Sequence, residues 1–141
     1  MKSDLDIENV KKFFAKDKFA KNVGIEIESI AEDSVECKME IKDIHKNSIV
    51  SVHGGAIFTL ADFTFGIHSN LNNLQGLDVG NTVGQSCNIS YLKSTKGKYL
   101  IAKSKCLKKG RTISVYQINI KDDLGEEIAT MVANGFTITE K

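Results

Sequence analysis

Val52-His53-Gly54-Gly55-Ala56-Ile57-Phe58-Thr59-Leu60-Ala61-Asp62-Phe63-Thr64-Phe65-Gly66-Ile67-His68-Ser69-Asn70 starts on a His-Gly-Gly entry and continues through apolar residues for the length of a helix. A single carboxylate, Asp62, interrupts it. Desolvating an unpaired carboxylate costs several kcal/mol, so Asp62 is either paired or faces a surface where its charge is used. Stepping about 100° per residue from Ala56, the residues Phe63, Ile67, Leu60, Ile57, Ala61, Phe65 and Phe58 cover most of the circumference. Thr64 and His68 fall inside that apolar sector. Ser69, Asp62, Gly66, Thr59 and Asn70 share the narrow remainder. A solvent-facing helix carries a wide charged face. The spacing therefore predicts a helix over about 55–70 that is wrapped by sheet, its Asp62 arc turned to a second subunit or a cleft.

The segments on either side supply that sheet. In 23–30 the apolar residues Val23, Ile25 and Ile27 alternate with polar ones. In 34–41 Val35, Cys37, Met39 and Ile41 share one face. Both read as half-buried strands joined by the turn Ala31-Glu32-Asp33. Residues 42–51 read as a loop. Beyond the helix, 79–92, 100–108, 112–121 and 126–139 are strand-like and separated by short turns, which join antiparallel neighbours. Upstream, Leu5, Val10, Phe13 and Phe14 fit one stripe of a short N-terminal helix within 1–21. The expected architecture is α+β, one domain over 1–141 with an antiparallel sheet of about six strands and one long helix.

Composition narrows the function. The 141 residues suit one domain, and 41% hydrophobic content supports a real core. Nineteen basic and eighteen acidic residues leave a net charge of +1, which gives no broad basic field for nucleic acid. No apolar run has the length of a membrane span, and Met1-Lys2-Ser3-Asp4-Leu5-Asp6 lacks a signal-peptide core. Cys37, Cys87 and Cys106 are odd in number and widely spaced, as reduced thiols of a cytoplasmic protein would be. No membrane and no nucleic-acid partner is expected.

The helix start carries chemistry. Glycines there let a substrate approach the backbone, and first-turn N–H groups point outward as donors. A donor site near a general-base candidate is what acyl hydrolysis needs, one to bind charge developing on oxygen and the other to activate water. Phe58 and Phe65 near the Asp62 carboxylate predict a raised pKa by desolvation.

Asn47, His53-Gly54-Gly55 six positions on, and Asp62 nine positions after the His together resemble the hotdog-fold acyl-CoA thioesterases, in the PaaI-like group of the 4-hydroxybenzoyl-CoA thioesterase superfamily. Asn88-Ile89-Ser90-Tyr91-Leu92 and Gly110-Arg111-Thr112 are similar to the family as well, and the resemblance spans roughly 20–139. It implies a hotdog fold, homodimers that often pair into homotetramers, and an active site at the dimer interface. It implies hydrolysis of an acyl- or aryl-acyl-CoA thioester, with CoA as part of the substrate and no cofactor. Asp62 of the partner subunit would orient or deprotonate water. The Gly54 N–H, helped by Asn47 from the same subunit, would polarise the carbonyl. His53 would lie near the sulfur or hold the loop, and Gly55 and Phe58 would line the substrate. Gly84 stands where some members place a water-binding Ser, with Ser86 two residues on. Lys93-Ser94-Thr95 replaces a frequent Pro.

CoA carries phosphates, and Arg111 suits them best by guanidinium geometry, beside Lys108 and Lys109; Lys-rich turns serve solubility equally well. The three histidines lack metal-ligand spacing, so no metal is expected. Cys87 has no evident base nearby, and there is no Gly-x-Ser-x-Gly elbow. Two alternatives remain at this level: a non-catalytic acyl-CoA binding module, and a hydroxyacyl thioester dehydratase.

Overall fold

The computed structural model describes residues 7–71 and 82–138. Two short helices come first, α1 (Ile7–Phe14) and α2 (Lys18–Val23). Strands β1 (Ile25–Ala31) and β2 (Ser34–Glu40) follow, then a 3-10 turn (Asp43–His45) and the long helix α3 (Gly54–Ser69). Four strands complete the chain: β3 (Thr82–Tyr91), β4 (Tyr99–Lys109), β5 (Ile113–Asp122) and β6 (Glu127–Thr137). They form one six-stranded sheet in the order β1-β2-β4-β5-β6-β3, and every pairing is antiparallel.

Alternation within strands builds the inner face. Val35, Cys37 and Met39 of β2 are fully buried, as are Leu100 and Ala102 of β4 and Ile118 and Ile120 of β5. Leu60, Phe65 and Ile67 of α3 meet them from the other side. This is the hotdog arrangement, a helix wrapped by a curved antiparallel sheet. No helix among the described residues is long and apolar enough to cross a membrane.

The N-terminal segment differs from the expectation. It is two helices rather than one stripe, because the Asp17 side chain caps α2 by accepting from the Ala20 N–H at 2.9 Å. Val23 and Gly24 belong to the end of α2, not to β1, because Gly24 adopts φ 93° and stops the helix there. Leu5 lies outside the described residues, as do 79–81 of the expected third strand.

The two ends of α3 are finished differently. At the C-terminal end, Asn70 donates to the Gly66 and Thr82 carbonyls and accepts from the Thr82 N–H. Ser69 and Asn70, on the predicted polar arc, are therefore buried. Only the part of the arc from Gly55 to Gly66 stays open, and within it Gly55 and Asp62 are exposed.

Candidate active site

The site begins at the loop before α3. Lys46 bridges Val52, and Asn47 and Ser51 close a tight turn through Asn47 N–H to the Ser51 carbonyl at 2.8 Å. Val50 takes a left-handed φ of 65°, a costly conformation for a β-branched residue. The Asn47 side chain holds this turn: its Oδ1 accepts from the Ile49 N–H at 3.1 Å and the Ser51 N–H at 3.0 Å. With its oxygen occupied by these two N–H groups, the amide Nδ2 is the side chain's remaining donor, beside the cleft that Asn47 lines.

His53 is the N-cap of α3. Its Nδ1 accepts from the Gly55 N–H at 2.8 Å, so the neutral ring carries its proton on Nε2. Its carbonyl accepts from the Ala56 and Ile57 N–H groups. The Gly54 N–H is then the one first-turn amide with no partner among the described residues. Space explains both glycines. A Cβ on Gly54 would meet the Tyr91 ring at 3.2 Å, and one on Gly55 would meet His53 Nδ1 at 3.1 Å.

Two residues that sequence reasoning did not select position this loop. Tyr91 donates its hydroxyl to the Gly54 carbonyl at 3.1 Å, tying the helix start to the end of β3. His45 is buried; it accepts from the Lys42 N–H, donates from Nε2 to the Val23 carbonyl at 2.6 Å, and offers its own carbonyl to the His53 N–H at 2.6 Å. A cleft of about 550 Å³ lies beside Asn47, Gly54, Ile57 and Tyr91.

Asp62 sits on the open arc two turns farther on. It makes no hydrogen bond or ion pair among the described residues. Its pKa is raised, first by burial against its neighbours and then by the negative charge of Asp17. Cys87 of β3 lies within electrostatic reach: burial and the Asp62 charge both push its thiol up. Phe58 is half-buried against the core. Eight residues of helix separate Gly54 from Asp62, about 12 Å along the axis. One chain therefore does not bring the donor and the carboxylate together.

Gly84 faces the helix side, where an added Cβ would sit 3.5 Å from Phe65. Ser86 does not share that side. The pairing of β3 with β6 shifts register between Gly84 and Ser86, and the Ser86 hydroxyl accepts from Asn134 Nδ2 at 2.8 Å on the outer face. The bulge turns Ser86 away from Asp62 and leaves Cys87, opposite the buried Ala133, on the inner face. Ser86 thus does not replace a water-binding Ser. Arg111 is exposed in the β4–β5 turn, beside the Val83 end of β3 through the pairs Ile113–Phe136 and Phe136–Val83. Tyr91 and Gly54 are at the other end, eight strand residues or about 26 Å away. Within one chain Arg111 therefore does not join the Asn47–Gly54 cleft. No group of three His, Cys, Asp or Glu among the described residues could hold a metal.

The model of the thioesterase superfamily matches residues 51–129, from the loop before the helix to the start of β6. The chain belongs to this superfamily. Over 123 residues it is 28% identical to the acyl-coenzyme A thioesterase PaaI of Escherichia coli, covering 86% of this chain and 84% of that protein. The solved structure of the E. coli PaaI protein from the phenylacetic acid degradation operon matches with a TM-score of 0.83 at 27% identity, over 95% of this chain and 94% of that one. A Streptococcus pneumoniae protein described as a hypothetical thioesterase, solved with coenzyme A, matches with a TM-score of 0.76 at 26% identity, over 92% and 98% of the two chains.

Proposed function

We propose that this thioesterase-superfamily protein hydrolyses an acyl- or aryl-acyl-CoA thioester to the free acid and CoA. The observation that carries the reading is Asp62: a carboxylate on an otherwise apolar helix, without a partner among the described residues and with a raised pKa. A carboxylate held that way is a stronger base than a solvated one. It would take a proton from water as the water attacks the acyl carbon. The Gly54 N–H and Asn47 Nδ2 would hold the oxyanion, and its collapse would expel the CoA thiolate. His53, as the helix cap, takes the loop-holding role. No cofactor or metal enters this chemistry.

The 12 Å gap along the helix makes two chains necessary, with Asn47 and Gly54 from one and Asp62 from the other. Strand β3 supports a homodimer. It is a sheet edge, exposed along nearly its whole length, and Val83 and Tyr91 on it and Val132 and Phe136 on the neighbouring β6 are all more than a third exposed. Such an edge is a template for pairing with another chain. Two-fold antiparallel pairing sets one chain's Tyr91 end beside its partner's Val83 end. Arg111 would then approach the partner's Asn47–Gly54 cleft, where a CoA phosphate could reach it. Pairing of dimers would make the homotetramer. Three free cysteines, one of them exposed, fit a reducing cytoplasm.

The test is a panel of acyl-CoA esters incubated with the protein and a thiol-reactive dye. Thiol release above the blank is expected. Binding without release would instead make the protein an acyl-CoA binding module, and loss of water from a hydroxyacyl ester would make it a dehydratase.

A further inference from the structure

We infer that the cleft between the N-terminal helix pair and strand β1 receives the acyl chain, and that the chain it takes is apolar along its length. The inference rests on the thioesterase reading of Asp62 and adds the substrate class.

This cleft is separate from the one at Asn47 and shares no lining residue with it. Its volume is about 550 Å³, within the range small ligands occupy. Its lining includes the apolar Phe14, Ala20, Ile25, Ile27 and Phe63. Phe63 is the residue after Asp62, and its ring packs edge-to-face on Phe14 with centroids 5.9 Å apart. Phe63 thus brings α3 to the cleft wall, about 100° around the helix from Asp62. Asp17, on its rim, is close enough for its charge to be felt at Asp62. An acyl carbon held near Asp62 would have its chain leading into this cleft. The thiol portion of the substrate would leave along the cleft at Asn47 and Tyr91 of the other chain.

The rim chooses against a charged tail. Lys11, Lys21 and Lys42 are matched by Asp17, Glu26 and Glu40, and the fourth lysine, Lys38, is paired with Glu28 at 3.4 Å, so no net field selects a terminal carboxylate. What remains selective is apolar area, and each buried methylene tightens binding roughly fourfold.

Ala15 is exposed on the rim, so a large side chain there obstructs the mouth without entering the core. The experiment uses the full chain and S-methyl, S-butyl and S-octyl CoA thioethers, which have no carbonyl to hydrolyse, with calorimetric binding. The parent protein is expected to bind them more tightly as the chain lengthens. Ala15→Trp should weaken the octyl thioether about tenfold or more and leave the methyl thioether unchanged. Phe14→Ala, which enlarges the floor, should favour the octyl thioether over the butyl more than the parent does. Thermal melts establish that each variant is folded. Affinity independent of chain length, or equal weakening of methyl and octyl thioethers by Ala15→Trp, overturns the inference. Chain-length dependence without thiol release from any acyl-CoA overturns the hydrolase reading and keeps the cleft. Thiol release without chain-length dependence does the reverse.

Discussion

Asp62, on the open arc of α3, and Asp122, at the end of β5, are the same side chain in opposite surroundings. Asp122 is buried and saturated: it accepts from the Thr95 hydroxyl at 2.7 Å and from the Leu124 and Glu126 N–H groups at 3.0 and 2.9 Å. Burial alone would raise its pKa, but these hydrogen bonds and Lys93 outweigh it and hold the carboxyl low. Asp62 has no such donors among the described residues, so desolvation and Asp17 prevail and its pKa rises. The carboxylate that closes a turn is given donors, and the one proposed as the base has none among the described residues. The two should therefore fail differently when altered.

The largest effect is expected at Asp62. Asp62→Asn should lower turnover of acyl-CoA by about 10²–10⁴ while the thermal midpoint stays or rises, because no partner is lost. Parent-like turnover in this variant would remove the base from the mechanism. Asn47→Ala should cost about 10²–10³ in turnover through loss of an oxyanion donor. It also releases the strained turn at Val50, so a companion measurement of stability is needed to separate the two effects.

The buried polar groups should answer in stability rather than rate. Burial lowers the His68 pKa to about 4, against the raising pull of Asp33. The unfolded chain takes up a proton below about 6.5, and the folded one does not until near 4. The stability that His68 confers by staying neutral is thus complete above pH 6.5 and is lost as the pH falls toward 4, by about 3 kcal/mol. Urea midpoints across that range should show the slope, and His68→Gln, which keeps a partner for Ser104, should flatten it. Asp122→Ala should cost about 1–3 kcal/mol by orphaning donors in the turn, with turnover per folded molecule unchanged. A drop in specific activity there would mean that the Asp122 turn and the Asp62 arc are coupled.

The same contrast marks what was legible in the sequence. Helix α3 was readable because one charge on an apolar 16-residue helix is a local pattern, and the strands were readable because alternation is local too. The Asp17 and Gly24 caps were local signals as well, but the stripe from Leu5 to Phe14 stopped short of the first and the alternation read over 23–30 absorbed the second. Contacts that cross the chain left no such trace. Tyr91 reaches Gly54 over 37 positions, and His45 reaches Val23 over 22. Ser86 was misplaced for a different reason. A period of two puts residues 84 and 86 on one face, and the single bulged residue between them reverses that. Separation along the helix was legible in principle, since a rise of 1.5 Å per residue already sets Gly54 and Asp62 apart.

The smallest effect sharpens the comparison most. Asp17 does two things at once: it caps α2 through Ala20, and it raises the Asp62 pKa by its charge. Asn caps a helix as well as Asp does, so Asp17→Asn keeps the first and removes the second. The Asp62 carboxyl should then ionise at lower pH, and the acid limb of the kcat/KM profile should move down by a fraction of a pH unit. The effect is Coulombic between partly exposed groups, so raising the salt concentration should shrink the difference between parent and variant. If the limb does not move at low salt, desolvation by α3 and its neighbours sets the Asp62 pKa alone. If the limb moves up, Asp17 is not acting on Asp62 through its charge.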